Sequence, residues 1–266
     1  MAILGREIRF AINPFVEVET KGANSFCARP SGEGLAIYFS MWVELTGKIN
    51  SETGFVLNLA HIDKIVREYA VEIFDDFIKT NFKNQQHVSL EDLAKLLRKV
   101  AARLENKFAP AMPCKIELNL TPCRKLGIKM ENKNMLYFAE KFEFAASHTL
   151  WNEKFSPEKN DRVFGKCANR TGHGHNYVVE VVVKKKTEQR ALEIGRFQKI
   201  VDDEFIKMVD HKNLNSDLDY FRKINPTVEN IATLACQKLR EKLLPLELVN
   251  VTVWENERAY CTCTPK

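Results

Sequence analysis

The sequence predicts an α+β fold made of two tandem copies of one unit, each running strand, strand, helix, helix, strand, strand. Three observations carry this. Cys27-Ala28-Arg29-Pro30-Ser31-Gly32-Glu33-Gly34-Leu35-Ala36-Ile37 aligns without a gap to Cys167 through Tyr177, with Cys27 on Cys167, Gly32 on Gly172 and Gly34 on Gly174. The flanking segments match in the same order at a period of about 135 residues, which indicates a duplicated domain and not a solenoid. Within each half, apolar residues alternate in some stretches and recur at helical spacing in others.

The elements follow in order. Phe142-Glu143-Phe144-Ala145-Ala146-Ser147 alternates as a strand does and ends at His148; Arg9–Pro14 matches its end, with Pro14 in the place of that histidine. The valine- and tyrosine-rich run after His175 reads as the second strand. Ile62–Val66 matches Phe197–Val201 on a helix, and Asp75-Asp76 falls on Asp210-His211. Ser89-Leu90-Glu91-Asp92 and Thr227-Val228-Glu229-Asn230 are helix starts of the capping type. Cys114–Leu120 matches the Asn250–Glu255 strand, with Leu120 where Glu255 stands. The polar stretch Glu131-Asn132-Lys133-Asn134 marks the junction, giving domains 1–131 and 132–266.

At 266 residues, 45% apolar and 28% charged, the chain has room for two ordinary soluble domains. A net charge of +5 falls short of a nucleic-acid footprint, and no apolar run approaches the length of a membrane span. The basic run Lys184-Lys185-Lys186 is expected at a solvated hairpin end. Seven cysteines without a disulfide rhythm, and a start lacking a signal-peptide layout, lead us to expect a reducing, cytoplasmic setting. Cys261 and Cys263 lie on an alternating terminal strand and read as structural.

The chemistry concentrates in Cys167–Tyr177. Residues two apart on a strand share a face, so His173 and His175 present two imidazoles side by side, and pairing with the preceding strand adds His148. Gly172 and Gly174 clear space around them. Three histidines with an open fourth position form a catalytic zinc site, and the Cys167 thiol supplies a base or nucleophile beside it. The first copy has lost the equivalents of His148, His173, His175, His211 and Glu255, so it reads as a structural partner.

These blocks, together with Asp210-His211-Lys212-Asn213-Leu214, Thr227-Val228-Glu229-Asn230 and Val253-Trp254-Glu255, resemble the 6-pyruvoyl-tetrahydropterin synthase family, and somewhat less its sister, 6-carboxytetrahydropterin synthase. The match runs in order over residues 135–266. The resemblance implies the tunnelling fold, in which a four-stranded antiparallel sheet carries two helices on one face and joins its neighbours into a barrel. It implies homo-oligomers, trimers or hexamers, with active sites between subunits. It further implies zinc-dependent conversion of 7,8-dihydroneopterin triphosphate to 6-pyruvoyl-tetrahydropterin with loss of triphosphate, a lyase step of tetrahydrobiopterin biosynthesis.

By the same resemblance His148, His173 and His175 hold Zn2+, Cys167 is the base, and His211 oriented by Asp210 carries the proton. Glu255 anchors the pterin, with Thr227 and Glu229 as further contacts. Plain helix capping competes for Thr227 and Glu229, and a helix C-terminal cap for Asp210-His211. Lys166 and Arg170 are candidates for the triphosphate by proximity. Two alternatives stay open: the carboxytetrahydropterin synthase of queuosine biosynthesis, and a non-catalytic pterin-binding scaffold.

Overall fold

The computed structural model describes residues 1–15, 36–186 and 192–265. Residue contacts divide the chain into two compact units, Met1–Phe138 with Lys186–Ala191, and Ala139–Lys185 with Leu192–Lys266. The α+β class expected from the sequence holds in each. Among the described residues no helix is long and apolar enough to cross a membrane.

In the first unit β1 (Ala2–Ile12) pairs antiparallel with β2 (Ile37–Gly47), in register from Ala2–Gly47 to Ile12–Ile37. Two helices follow almost without a break, α1 (Leu59–Val66) and α2 (Glu72–Lys83), joined by a π-helical turn at Arg67–Val71. Helix α3 (Leu90–Leu104) begins at the expected cap: Ser89 accepts from the Asp92 N–H while the Asp92 carboxylate accepts from the Ser89 N–H. Strands β3 (Met112–Thr121) and β4 (Arg124–Lys129) complete an antiparallel run β1-β2-β3-β4. Alternation puts Ile8, Phe10 and Ile12 on the face that meets the helices, and Phe10, Phe39 and Phe74 pack as a trio with centroids 5.2–5.3 Å apart. The Cys27–Leu35 stretch used in the alignment lies outside the described residues.

The second unit takes in β5 (Met135–His148) from Ala139 onward and the neighbouring β6 (His173–Lys186) as far as Lys185, followed by β8 (Glu247–Asn256) and β9 (Ala259–Cys263). The β6–β8 and β8–β9 pairs are antiparallel. Between β5 and β6 the chain forms α4 (Pro157–Phe164), started by Pro157 after the Ser156 cap, and a 3-10 turn at Gly165–Ala168. After β6 come α5 (Ile194–Val201), a π-helical turn at Asp202–Ile206 and the short α6 (Lys207–Val209). A two-residue β7 (Lys212–Asn213) runs parallel to β5, α7 (Leu214–Asp217) follows, and α8 (Val228–Leu239) starts at the Thr227 cap. Phe144 stacks on Tyr177 at 4.8 Å and meets Phe205 edge-on at 5.7 Å, tying the two strands to the helix.

One surface expectation fails. Strand β6 runs on through Lys186, so alternation turns Lys185 to the side of Val181 and Val183, where it is buried. The basic run is therefore not simply a solvated hairpin end.

Candidate metal centre and active site

His148 closes β5, and His173 and His175 open the neighbouring β6, so the three imidazoles meet at one end of the strand pair. Their ring centroids lie 4.6–5.2 Å apart. The Nε2 atoms of His148 and His173 are 3.2 Å apart. A fourth group joins them. Glu255 Oε1 is 2.8 Å from His175 Nε2 and 3.5 Å from His148 Nε2, and the ligand atoms of all four residues fall within 4.8 Å of one another.

Glu255 arrives there through strand register. Trp254 of β8 pairs with Val178 of β6, so the next residue reaches the end of β6 where His175 and Tyr177 lie. The sequence reading placed Glu255 against a pterin; the geometry puts its carboxylate among the imidazoles.

The donor set fits a divalent ion on three counts. A tetrahedral centre with metal–nitrogen bonds of ~2.0–2.1 Å needs donors roughly 3.3 Å apart, close to the 3.2 Å between the Nε2 atoms of His148 and His173. His148 Nδ1 lies 2.7 Å from the Pro226 carbonyl oxygen, so it carries the proton and leaves the Nε2 lone pair facing the cluster. The buried His175 Nε2 approaches Glu255 without the angle of a hydrogen bond, and the buried His173 Nδ1 has no partner among the described residues. Burial holds the pKa values of His148 and His175 below the ordinary imidazole value, against the pull of the Pro226 carbonyl on the first and of Glu255 on both. Neutral imidazoles are the ligating form.

Gly172 makes the turn into β6 possible. Its φ is +75°, and a Cβ there would lie 3.1 Å from the His148 carbonyl oxygen and 3.3 Å from Thr149 Oγ1. Gly174 needs no such exemption, since a Cβ would meet only the Ala146 carbonyl at 3.6 Å.

Cys167 sits half-buried on the 3-10 turn, and its carbonyl accepts from the Leu150 N–H at 2.8 Å, which ties this loop to the one leaving His148. Burial, and then the Glu255 charge, push the thiol pKa up. A cation among the imidazoles would oppose that push.

The Asp210–His211 pair stands apart at the edge of β5. Asp210 ends α6 with extended backbone, and its Oδ1 accepts from the Ala145 N–H at 2.9 Å while Oδ2 lies 2.8 Å from His211 Nδ1. The Ala145 N–H, then His211, hold the Asp210 pKa below the usual carboxylate range. His211 has φ +55° and gives its N–H to the Ala145 carbonyl, leaving the imidazole 82% exposed. His211 and His175 line one shallow surface hollow of about 470 Å³ with Ala145, Ser147, Asn176 and Asn213. None of the hydrogen bonds of His211 among the described residues reaches Cys167.

Thr227 caps α8, accepting from the Asn230 N–H, while Glu229 is exposed on the first turn. Two further features were not among the expected site residues. The Tyr177 hydroxyl is buried without a hydrogen-bond partner, and burial, then the charges of Glu255 and Cys167, push its pKa up. Pro226, immediately before the α8 cap, orients His148 from 78 residues away. The alternation that puts His175 on the inner face also places Tyr177 there, so the first could have been inferred; the second depends on tertiary folding alone.

A sequence model of the family described as 6-pyruvoyl tetrahydropterin synthase matches residues 137–266. The 6-pyruvoyl tetrahydrobiopterin synthase of Homo sapiens is 35% identical over 123 residues, spanning 45% of this chain and 84% of that protein. That of Drosophila melanogaster is 34% identical over 123 residues, 45% of this chain and 73% of its own. A dihydroneopterin monophosphate aldolase of Pyrococcus furiosus is 34% identical over 85 residues, 31% of this chain and 69% of its own. The solved structure of Caenorhabditis elegans 6-pyruvoyl tetrahydropterin synthase is 30% identical with a TM-score of 0.46, covering 50% of this chain and 96% of that one. All the residues of the imidazole–carboxylate cluster, and Cys167, lie inside the matched segment, and the chain belongs to the 6-pyruvoyl tetrahydropterin synthase family.

Proposed function

We propose that the second unit converts 7,8-dihydroneopterin triphosphate to 6-pyruvoyl-tetrahydropterin, a carbon–oxygen lyase reaction that eliminates triphosphate and then isomerises the side chain to two carbonyls. The observation that carries this reading is the meeting of His148, His173, His175 and Glu255 beside the loop of Cys167. Zinc is the metal the three imidazoles suit, and when bound there it would act as a Lewis acid toward a side-chain oxygen of the substrate.

This chain's own residues do the rest. Cys167, as thiolate, takes the proton from the side-chain carbon next to the ring. Glu255 accepts the pterin ring N–H and amino group as a fork, which a carboxylate held at the end of β8 can do once a cation engages the imidazoles. Asp210 holds the Nδ1–H of His211, leaving Nε2 to exchange a proton. The exposure of that imidazole, with none of its hydrogen bonds among the described residues reaching Cys167, supports a role completed by a neighbouring subunit of a trimer or hexamer. Strand β9 ends its sheet, and its edge together with exposed Tyr260 supports such pairing.

We also read residues 1–131 as a degenerate copy of the catalytic half, residues 132–266. In support, a π-helical turn follows α1 at Arg67–Val71 and α5 at Asp202–Ile206, the same offset that aligns Asp75 with Asp210.

The experiment is product analysis by mass spectrometry of zinc-loaded protein incubated with dihydroneopterin triphosphate. Release of triphosphate with a 6-pyruvoyl product is expected. A carboxylated pterin with acetaldehyde would replace this reading by the carboxy synthase, and simple side-chain cleavage would favour the chemistry named in the Pyrococcus relative. Absence of turnover with intact pterin binding would leave the scaffold reading.

A further inference from the structure

The connection from His148 to His173 leaves and rejoins the strands at the imidazole cluster, and it carries five basic and three acidic residues between Thr149 and Gly172. Its two arms are fastened together. The Leu150 N–H donates to the Cys167 carbonyl at 2.8 Å, and Thr149 Oγ1 donates to the Asn169 carbonyl at 2.9 Å. The Trp151 N–H donates to Asn225 Oδ1 at 2.9 Å, fixing that arm to the loop before α8. On the other arm the Asn169 side chain accepts from the Thr171 N–H and hydroxyl, and the Asn169 carbonyl from the Gly172 N–H at 2.9 Å. Trp151, three residues past His148, and Arg170, three before His173, are thereby brought together, with the guanidinium carbon over the indole, 4.3 Å from its centre.

Stacking holds the plane of a guanidinium but leaves its edge N–H groups unspent. Arg170 is exposed, and among the described residues no carboxylate pairs with it. By contrast, Arg6 makes a two-pronged contact with Asp63 at 2.8 and 2.9 Å, and Arg222 meets Asp219 at 3.0 Å. A planar fork, pre-set by an aromatic ring and free of an internal acid, matches phosphate oxygens bidentately and loses little freedom on engaging them.

We propose that Arg170, braced on Trp151, binds the phosphorylated tail of the substrate and so selects the phosphate ester over the free pterin alcohol. This rests on the proposed function, because it takes the imidazole cluster to hold the other end of the same molecule. Lys166, exposed on the same loop, adds a second, unoriented positive charge.

Neopterin and neopterin triphosphate are fluorescent and oxidised, so their binding to the zinc-loaded protein is read by anisotropy without turnover. R170A is expected to weaken the triphosphate at least tenfold while changing neopterin by less than twofold. R170K should recover part of the loss, and W151L, which keeps the charge but removes the brace, should weaken the triphosphate about threefold. K159Q removes another cation stacked on an aromatic ring, Phe155 at 3.7 Å, and should change neither ligand. Equal effects of R170A on both pterins, or on neither, overturn the proposal. If the wild-type protein binds neither pterin, the functional reading fails; Arg170 is then judged by magnesium triphosphate alone, whose affinity must still fall tenfold in R170A.

Discussion

Replacing Gly172 by alanine tests whether the turn into β6 sets the metal centre. At φ +75° an L-residue costs about 1–2 kcal/mol of backbone strain. The smaller entropy of the unfolded alanine chain returns about 0.4–1 kcal/mol. The new Cβ would sit 3.1 Å from the His148 carbonyl oxygen, a backbone atom that moves only if β5 moves. A shift of a few tenths of an ångström there, with its cost, brings the net loss to about 1–3 kcal/mol. For a chain of this size about 2–4 °C accompanies each kcal/mol, so the melting temperature should drop by roughly 2–12 °C. Because both His148 and His173 adjoin the contact, metal affinity should fall about tenfold or more. Calorimetric melting and competition with a chromophoric chelator measure the two effects. G174A is the control: its Cβ finds ordinary contact distance, so it should lie within about 1 kcal/mol of wild type although it stands between two histidines. A G172A protein with wild-type melting and metal affinity, or a G174A protein as damaged as G172A, would refute the reasoning.

Other outcomes follow from the same geometry. Metal-free protein given zinc at a hundredfold excess over its dissociation constant should gain about 2.7 kcal/mol in stability, and H148A should gain far less, as read by urea midpoints with and without chelator. Since burial lowers the pKa values of His148 and His175, the unfolded chain binds more protons; stability of the metal-free protein is therefore full above about pH 6.5 and declines as pH falls through that value toward the folded ones, a slope that H148Q should flatten. Removing the carboxylate charge with E255Q should lower the pKa of the Cys167 thiol, seen as iodoacetamide alkylation accelerating at a lower pH; an unchanged profile would mean that Glu255 does not act on the sulfur. H211N should change stability by less than about 0.5 kcal/mol, because the side chain is exposed and asparagine accepts positive φ, yet it should abolish product formation.

What could be read from the sequence is what local physics fixes. Alternation from Phe142 to Ser147 delivered β5 and its terminal histidine, and the period of two across His173 and His175 delivered the imidazole pair. Ser89 and Thr227 announced their helices because capping uses residues three apart. The features that escaped are long-range. Glu255 joins the imidazoles through a register set by the whole β6–β8 ladder, and one residue of slip would send it to the opposite face. The π-helical turns have no composition that marks them, and Lys185 is buried because its strand is longer than its lysines suggested.

The carbonyl of Pro226 binds the back of His148 while the next residue, Thr227, begins α8. One peptide thus belongs at once to the ion's support and to Thr227, which the family resemblance implies as a pterin contact. Whatever steadies that peptide from either side lessens the ordering cost left for the other, so ion and pterin should each raise the other's affinity by the same factor.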